Sequence, residues 1–429
     1  MTRDLLIRGG RVVDPAAGRD GAFDLVLRDG AVAAVGERLA DDDALVFDAA
    51  GLLVFPGFID LHAHLREPGS EDAETIASGA AAAAAGGFTA VCAMPNTDPV
   101  NDNRTVTAFV AARGSEAGAA RVYPVGAITR GRRGEELAEF GEMRAAGAVA
   151  LSDDGDWLRD GDLLRRAIEH ATLFGMPVVQ HAEDPGLSRR APMHEGAVST
   201  RLGLAGQPGV AEAAAVARDL LIARLAGGRI HFGHLSTALS IASIREAKLR
   251  GLPVTCDATP HHLTLTDEEV ARSGYSTRFK MNPPLREPAD VVALVEALAD
   301  GTIDAIATDH APHHEDEKAV EFDAAPFGVV GLETAVAVIY DRLVLSGRLA
   351  LRRFVELFST GPAKAFGLQG GILAPGSPAD VTLFDPQYRW TIDPAKFRSL
   401  GRSTPFAGWE LVGAPAATVV AGRIVWHRT

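Results

Sequence analysis

The chain has few cysteines and no long apolar run, and each shortage argues against a class of protein. Only two of its 429 residues are cysteine, Cys92 and Cys256, and we expect both to be buried in strands. Two cysteines cannot build a disulfide framework, so the composition fits a reducing cytoplasm. No apolar run reaches the roughly 18 residues of a membrane helix, and no signal-peptide pattern opens the sequence. We therefore expect a cytoplasmic protein.

Positive charge is also scarce. The chain has 42 Lys and Arg against 56 Asp and Glu, a formal net charge of −14, and no basic stripe offsets this locally. Nucleic acids and anionic membranes are bound by concentrated Lys and Arg, so neither is expected as the main partner. The 47% of hydrophobic residues is typical of a globular enzyme.

The pattern of apolar residues divides the chain into three parts. Short alternating segments broken by Gly and Asp fill residues 1–55, and the same texture returns in 368–429. Alternation with tight turns is typical of small antiparallel strands, so we expect both ends to form one β-sandwich domain. Residues 56–367 instead repeat strand, loop and helix, which predicts parallel strands with crossover helices. The predicted fold class is α/β, a (β/α)8 barrel of the TIM type with a small terminal β-sandwich.

Eight strand signals support the barrel, although an open doubly wound sheet is an alternative. The predicted strands are 58–62, 89–94, 122–128, 148–153, 177–181, 229–234, 254–257 and 303–309. Helical spacing, with polar starts and Gly near several ends, predicts helices at 162–174, 210–225, 237–250 and 289–299. No phosphate-binding glycine fingerprint follows the first strand, which argues against a dinucleotide fold.

Candidate metal ligands follow the carboxyl ends of these strands, where barrel enzymes carry their chemistry. His62 and His64 are two residues apart, so a strand directs both imidazoles to one side. The other strand ends supply Asp153, Asp154, His181, His234 and Asp309. Each histidine alone fits a hydrogen-bonded core residue equally well. Four histidines with Asp309 and one of the two adjacent aspartates together predict a metal site, and these six ligands suit two ions that share a bridge.

An ordered series of motifs now resembles one family. The first strand runs into Asp60-Leu61-His62-Ala63-His64-Leu65-Arg66-Glu67-Pro68-Gly69. Further matching segments are 94–97, 152–155, 180–183, 234–237, 280–286, 308–314 and 326–328. With these motifs, the chain resembles the bacterial dihydroorotases, which are cyclic amidohydrolases of pyrimidine synthesis. The resemblance covers nearly the whole chain.

The resemblance implies one or two zinc ions and the residues that bind them. His62, His64 and Asp309 would hold one metal, His181 and His234 the other, and Asp154 would bridge them, with Asp153 as the alternative bridge. Related cyclic amidohydrolases bridge with a carboxylated lysine, but no lysine lies near the fourth strand here. That difference argues against a hydantoinase or an allantoinase. His and Asp also bind cobalt and manganese, so the sequence leaves metal identity and occupancy open.

The resemblance also implies an activity, the reversible hydrolysis of dihydroorotate to N-carbamoyl-aspartate. Asp309 would take a proton from the attacking water and deliver it to the ring nitrogen that leaves. The substrate carboxylate would be held by Arg66, Asn96 and His313, and the ring amides would be read by Asn282 and the backbone of Phe327 and Gly328.

Several interpretations stay open at this point. His261 and His262 are expected to be structural or to support the ligands, and the polar segment 313–318 is either a lid or a solvated loop. One rival function is another cyclic amidohydrolase, which needs no carboxylate clamp. A second is a non-catalytic dihydroorotase-like scaffold for aspartate transcarbamoylase, which would have lost ligands. A homodimer is expected, and the transcarbamoylase is a candidate partner in either case.

Overall fold

The apolar segments form eighteen strands in the computed structural model, which describes residues 4–41 and 43–428. In chain order they are Leu5–Asp14 (β1), Arg19–Arg28 (β2), Ala31–Gly36 (β3), Leu45–Asp48 (β4), Leu53–Pro56 (β5), Phe58–Ala63 (β6), Phe88–Ala93 (β7), Arg121–Gly126 (β8), Ala150–Ser152 (β9), Val178–Gln180 (β10), Met193–His194 (β11), Gly206–Gln207 (β12), Ile230–Phe232 (β13), Val254–Ala258 (β14), Ala305–Ile306 (β15), Val381–Thr391 (β16), Glu410–Val420 (β17) and Arg423–His427 (β18).

Eight of these strands form the predicted parallel barrel. Their order is β6-β7-β8-β9-β10-β13-β14-β15. Each of the eight predicted strands therefore pairs with the predicted strand that precedes or follows it in the sequence. A parallel bridge between Ala63 and His310 joins the two ends, and His64 N donates to His310 O over 2.8 Å. The ring therefore closes at the carboxyl ends of its first and last strands. The prediction of a (β/α)8 barrel is confirmed.

Helices cover the barrel. The α-helices are Ile76–Ala85, Arg104–Ala117, Phe140–Ala145, Gly161–Thr172, Pro185–Ser188, Ala197–Leu202, Val210–Ala226, Ala238–Leu249, Pro260–Thr264, Glu268–Arg272, Pro288–Asp300, Glu315–Lys318, Ala335–Ile339, Leu351–Phe358 and Thr360–Phe366. Short 3-10 turns occupy Arg130–Arg132, Thr277–Phe279 and Pro394–Lys396, and a π-helical turn occupies Tyr340–Val344. All four helices predicted from spacing are present, with ends within two residues. Within the described part of the chain, no helix is both long and apolar enough to pass through a membrane.

The last barrel strand is much shorter than predicted. Only Ala305–Ile306 is a strand, whereas the sequence predicted 303–309. The chain leaves the ladder because the buried carboxylate of Asp60 binds Thr308 twice, accepting from its backbone N at 2.8 Å and its hydroxyl at 2.6 Å. Asp309 then adopts a φ of 47°, which no strand residue has. The turn directs Asp309 into the barrel mouth.

The two chain ends share one sheet, as predicted. Its order is β18-β17-β16-β5-β1-β2-β3, and β4 also pairs with β1. The buried core of this terminal sheet takes Ile7, Leu25 and Val54 from one end and Val381 and Val419 from the other. One detail of the prediction is wrong: β1 pairs in parallel with β4 and β5, whereas only antiparallel strands were expected. The chain crosses back beside β1 after β3 instead of continuing as hairpins.

A cluster of phenylalanines joins the terminal sheet to the amino-terminal ends of the barrel strands. Phe55 of β5 stacks on Phe58 of β6 with 5.3 Å between ring centroids. Phe354 and Phe358, from one helix, pack on Phe58 at 5.8 and 5.4 Å. These four rings, called the phenylalanine floor below, are fully buried. They fix the sheet against the barrel at the end opposite the candidate site.

Candidate metal centre and active site

All six predicted ligands meet at the barrel mouth. His62 is the second-last residue of β6, and His64 lies just beyond the strand. The other four, Asp154, His181, His234 and Asp309, lie one to three residues past the ends of β9, β10, β13 and β15. Parallel strands end at the same rim of a barrel, so residues far apart in the sequence converge there. All six side chains are buried.

The first group consists of His62, His64, Asp154 and Asp309. His62 Nε2 lies 3.3 Å from Asp154 Oδ1 and 3.6 Å from Asp309 Oδ1. His64 Nε2 lies 3.5 Å from Asp154 Oδ2 and 3.2 Å from Asp309 Oδ1. Two donors about 2.1 Å from one ion at the tetrahedral angle are about 3.4 Å apart. These nitrogen–oxygen distances, 3.2–3.6 Å, therefore match the spacing of neighbouring ligands around a small cation.

The second group consists of His181, His234 and again Asp154. His181 Nδ1 lies 3.0 Å from His234 Nε2, and both nitrogens face Asp154 Oδ1 at 3.7 and 3.5 Å. Within each of two groups, His62-His64-Asp154 and Asp154-His181-His234, the donor atoms lie within 4.8 Å of one another. Asp154 belongs to both groups. The shared carboxylate is in the position that a bridge between two ions would need.

Asp153, the alternative bridge, is instead used by the backbone. Its Oδ1 accepts from the N of Ile128 and Thr129 at 2.9 and 3.0 Å, and its Oδ2 accepts from the Thr129 hydroxyl at 2.5 Å. These bonds hold the end of β9 to the loop after β8. Asp153 therefore positions the turn that carries Asp154.

Hydrogen bonds on the outer side of two histidines fix which nitrogen faces the cluster. His64 Nδ1 lies 2.8 Å from Asn96 Oδ1 and donates to it, which leaves a lone pair on Nε2 against the carboxylates. His181 Nε2 lies 3.2 Å from Glu183 Oε2 in the same way and leaves Nδ1 facing inward. Both nitrogens of His62 and Nδ1 of His234 are buried without a hydrogen-bond partner in the described chain. Inward lone pairs beside carboxylates fit a cation.

The electrostatics of the cluster also favour positive charge. Burial lowers the pKa of His62, but the carboxylates of Asp154 and Asp309 outweigh it and raise that pKa to about 9. Burial likewise opposes the effect of Asp154 and Glu183 on His181, whose pKa rises to about 10. The pKa of Asp309 is lowered, because the hydrogen bond to His64 and the neighbouring imidazoles outweigh burial. Without a metal, protons on the histidines would supply the charge that the carboxylates need.

Three residues at the mouth have backbone conformations that L-residues rarely adopt. Arg66, His234 and Asp309 have φ values of 60°, 38° and 47°. A positive φ outside glycine costs free energy, so surrounding contacts must impose it. All three are residues predicted for the site, and none lies inside a regular strand.

The three residues predicted to hold a carboxylate lie beside the first group. Arg66 donates from Nε to Pro312 O at 3.1 Å. Burial lowers the pKa of His64 and of His313, and the charge of Arg66 adds to both shifts. Asn96 uses Oδ1 for His64, which leaves its NH2 group for a ligand. His313 Nε2 donates to Phe327 O at 2.8 Å. The structure brings Arg66, Asn96 and His313 to the same side of the mouth as His64.

The residues predicted to bind the substrate ring already have hydrogen-bond partners within the protein. Asn282 lies beside the second group, where its Nδ2 donates to Glu183 Oε2 at 2.6 Å and its Oδ1 accepts from Gln207 at 3.1 Å. Gly328 N donates to Lys280 O, and Gly328 O accepts from Lys318 Nζ at 2.9 Å. Of the backbone groups predicted to read the ring, those of Gly328 and the carbonyl of Phe327 are thus engaged within the protein.

Gly328 is required where it stands, next to Phe327. Its φ is 130°, and a Cβ there would lie 2.8 Å from Ala311 O and 3.1 Å from His313 Nε2. The buried Lys318 ends the segment 313–318 and donates to the carbonyls of Pro326 and Gly328. The segment is therefore fastened at its end to the backbone that follows it.

Sequence reasoning missed the acids behind the ligands. Glu183 supports His181, Asp257 accepts from His234 N at 2.7 Å, and Asp60 accepts from the backbone N of His62 at 3.3 Å. Asp257 is in turn bound by His231 at 2.8 Å. A signal was present, since Asp60 and Asp257 lie in barrel strands and Glu183 lies three residues past one. A buried acid nevertheless looks like a surface acid in a sequence.

His261 and His262 do not join either group of candidate ligands. His262 Nε2 donates to Pro283 O at 2.9 Å, and its Nδ1 lies 2.8 Å from Thr259 Oγ1. The two rings pack together with 4.5 Å between centroids. These contacts hold the end of β14 against the segment that carries Asn282.

Comparison with solved structures defines the class of protein. An L-hydantoinase (dihydropyrimidinase) from Arthrobacter aurescens superposes with a TM-score of 0.87 at 28% identity, over 99% of this chain and 96% of that one. A dihydropyrimidinase from Brevibacillus agri gives a TM-score of 0.86 at 25% identity, over 99% and 95%. With its barrel, terminal sheet and histidine-aspartate cluster, the chain is a cyclic amidohydrolase.

Comparison of sequences narrows the class to one family. A family model described as "Dihydro-orotase-like" matches residues 51–240. A dihydroorotase of Anaeromyxobacter sp. strain K is 58% identical over 99% of this chain and 98% of the relative, and one of Pelotomaculum thermopropionicum is 54% identical over 98% of each. The chain belongs to the dihydroorotase family.

Proposed function

We propose that the chain catalyses the reversible, zinc-dependent hydrolysis of (S)-dihydroorotate to N-carbamoyl-L-aspartate, a step of pyrimidine synthesis. The observation that carries the proposal is one arrangement: a buried cluster of four histidines and two aspartates lies directly beside Arg66, Asn96 and His313. The cluster can bind metal and move protons, and its neighbours can bind an anionic ring. Relatives named dihydroorotase at 54–58% identity support the same activity.

The proposed metal ligands follow the two groups of the cluster. His62, His64 and Asp309 hold one ion, His181 and His234 hold a second, and Asp154 serves both. The unpartnered Nε2 of His62, and the inward lone pairs of His64 and His181, support this assignment. Nitrogen and carboxylate donors at tetrahedral spacing suit zinc, with one or two ions per chain. A bound divalent cation would lower the pKa of water and polarise the imide carbonyl.

Asp309 is the proposed proton carrier. The imidazoles around it keep its pKa low, so its carboxylate is ionised at neutral pH and can act as a base. In ring opening it accepts a proton as the water oxygen bonds to the ring carbonyl carbon. It returns that proton to the ring nitrogen as the carbon–nitrogen bond breaks. In ring closure the same steps run in reverse.

Arg66, Asn96 and His313 are the proposed clamp for the substrate carboxylate. Arg66 keeps two guanidinium nitrogens beyond its Nε bond to Pro312 O, which suits a bidentate contact. Asn282 and the backbone of Phe327 and Gly328 are proposed to read the ring amides. Because Asn282 and Gly328 already have protein partners, their contacts to a ring would be exchanged or shared ones.

The test is the loss of ultraviolet absorbance of dihydroorotate with metal-stripped protein titrated with zinc. Zinc-dependent turnover is expected, and the stoichiometry at full activity gives one ion or two. Arg66→Met tests the clamp: KM for dihydroorotate should rise, because its carboxylate loses a charged partner. Hydantoin, which lacks that carboxylate, serves as the control substrate. Turnover of hydantoin in preference to dihydroorotate would favour the rival amidohydrolase function.

The non-catalytic scaffold function predicts tight zinc binding without turnover. Every ligand type that such a scaffold would have lost is present in this chain, which supports catalysis. We also propose a homodimer and association with aspartate transcarbamoylase, both on the resemblance alone. Light scattering of the chain, with and without the transcarbamoylase, tests both. The buried free thiols of Cys92 and Cys256 support a cytoplasmic location.

For the domains we propose limits of 56–367 for the barrel and of 1–55 with 368–429 for the terminal domain. The last strand before the barrel, β5, ends at Pro56, and Gly367 follows the last barrel helix, Thr360–Phe366. Residues 1–3, 42 and 429 of these ranges lie outside the described residues. Limited proteolysis that cuts first near residue 368 would support the second limit.

A further inference from the structure

A segment of the terminal range reaches the barrel mouth. Residues 399–403, called the strap below, lie between the 3-10 turn Pro394–Lys396 and β17. Leu400 N donates to Glu74 Oε1 at 3.1 Å, and the Ser399 hydroxyl donates to Glu74 Oε2. At the other end of the strap, Ser403 O accepts from Val330 N at 2.8 Å. The strap therefore binds barrel residues at both ends.

Glu74 connects the strap to the residue that follows Asp309. Its side chain is fully buried, and its Oε2 lies 3.1 Å from His310 Nε2. His310 Nδ1 accepts from Gly331 N at 3.2 Å, so the proton of the neutral ring is on Nε2 and is donated to Glu74. The direction of every bond in this chain of contacts is thus defined.

His310 contacts a candidate metal ligand and directly follows the proposed proton carrier. Its carbonyl accepts from His64 N at 2.8 Å, and its bridge to Ala63 closes the barrel. Its own backbone N is bonded to the preceding Asp309 carbonyl carbon, and Asp309 has a φ of 47°. A ring that anchors His310 therefore limits the backbone freedom of Asp309, whose conformation requires support.

The strap also lies behind the proposed clamp. A Cβ on Gly401 would be 2.8 Å from Pro312 Cβ and 2.6 Å from Val330 Cγ1, so the backbone of the strap packs closely on both. Pro312 O is the acceptor for Arg66 Nε. Only glycine allows this approach.

From these contacts we propose that Glu74, held by the strap, is a positioning residue for Asp309, acting through His310. The inference rests on the proposed function, because it assigns a role within the same site. It makes the terminal domain a participant in catalysis: the carboxylate that orients the catalytic strand end is itself held by residues 399 and 400. Glu74 does not touch the reacting atoms.

Glu74→Gln is the first test, since it keeps size and shape while weakening the bond to His310. With saturating zinc, kcat for dihydroorotate should fall about 10- to 100-fold, the usual effect of losing a partner behind a site residue, while KM stays within about twofold. Asp385→Asn is the matched control. It changes an acid of the terminal sheet that pairs with Arg428 at 2.9 Å, away from the strap, and kcat should not change.

A second readout does not depend on turnover. In cobalt(II)-substituted protein, Glu74→Gln should shift the visible absorption bands. His310 accepts a hydrogen bond from His64 N and is joined to Asp309 by a peptide bond, so a shift of His310 would move two proposed ligands. If Glu74→Gln does not fold, Ser399→Ala removes one bond to Glu74 and should lower kcat in the same direction by a smaller factor. Unchanged kcat and unchanged cobalt bands in the folded variant would overturn the inference. A parent chain inactive on dihydroorotate would instead count against the proposed function, and the cobalt bands would still decide the role of Glu74.

Discussion

Strand β6 begins in a cluster of phenylalanine rings and ends in a cluster of imidazole rings. The two clusters differ in polarity, in hydrogen bonding and in backbone conformation. Phe58, at its start, packs in the phenylalanine floor, with ring centroids 5.3–5.8 Å away. His62, near its end, has His64 and His234 at 5.1 and 5.0 Å. The floor is apolar, whereas the mouth holds buried carboxylates, unpartnered nitrogens and positive φ angles.

This contrast separates stability from chemistry along a single strand. Burying phenylalanine rings is favourable, while burying charged groups and strained backbone is costly. The floor therefore stabilises a mouth that would not be stable alone. Substitutions at the floor should change unfolding and spare turnover. Substitutions of the candidate ligands and of Asp309 should instead change metal binding or turnover and spare unfolding.

The largest effect is expected at Asp309. Asp309→Asn should lower kcat about 10²- to 10⁴-fold, because an amide cannot accept and return the proton. Asparagine tolerates a positive φ, so the free energy of unfolding should stay within about 1 kcal/mol. Steady-state kinetics and urea unfolding of the same preparation measure both. Near-normal kcat would remove Asp309 from its proposed role.

The converse change at the floor is Phe354→Ala. Phe354 is fully buried and touches Phe58 and Phe358, so the variant should lose about 3–5 kcal/mol of unfolding free energy. At a temperature where it is folded, its kcat should match that of the parent. A large fall in kcat in the folded variant would break the separation between floor and mouth.

Within the mouth, two adjacent aspartates should behave differently. Asp154→Asn should weaken zinc binding by at least about tenfold, because Asp154 faces all four histidines of the cluster. Asp153→Asn should retain zinc and lose about 1–2 kcal/mol of stability, because Asp153 binds the backbone of Ile128 and Thr129. Zinc content after dialysis against a chelator distinguishes them, and equal losses would contradict the assignment.

The last prediction concerns pH and Glu333, which binds the backbone at the start of the strap. Burial raises the pKa of Glu333 to about 7, although the backbone N–H groups of Arg398 and Ser399 oppose the shift. The folded state then keeps a proton that the unfolded state has released. This contribution to stability is complete below pH 4.5 and is lost as pH rises through 7. Glu333→Gln should remove a fall of about 1–3 kcal/mol between pH 5 and pH 8, measured by urea unfolding. Identical pH slopes would contradict it.

The sequence predicted the mouth better than its support. Residues at strand ends were identifiable because apolar runs locate parallel strands, and parallel strands end at one rim. The lack of a lysine near the fourth strand favoured an aspartate bridge before any distance was known. Glu74 and Asp257 were missed because nothing local distinguishes a buried acid whose partner is distant in sequence. Glu74 and Ser399, for example, are 325 residues apart.

The parts of the fold that were predicted least well depend on similar long-range pairing. The parallel pairing of β1 with β4 and β5 and the early end of β15 at Ile306 both result from contacts between distant segments. Asp60, for instance, ends the last strand by binding Thr308. Local patterns contain no information about which distant acid a threonine will meet.

The pairing of β5 with β16 can form only after nearly the whole chain has been synthesised. Phe58 N donates to Thr382 Oγ1, 324 residues later, and β5 pairs with Val381–Thr391 just beside it. At about 5–20 residues per second, roughly 15–65 s of synthesis separate the two partners. During that interval the edge of β5 that later pairs with β16 is unpaired, and an unpaired strand edge is a template for pairing with other chains.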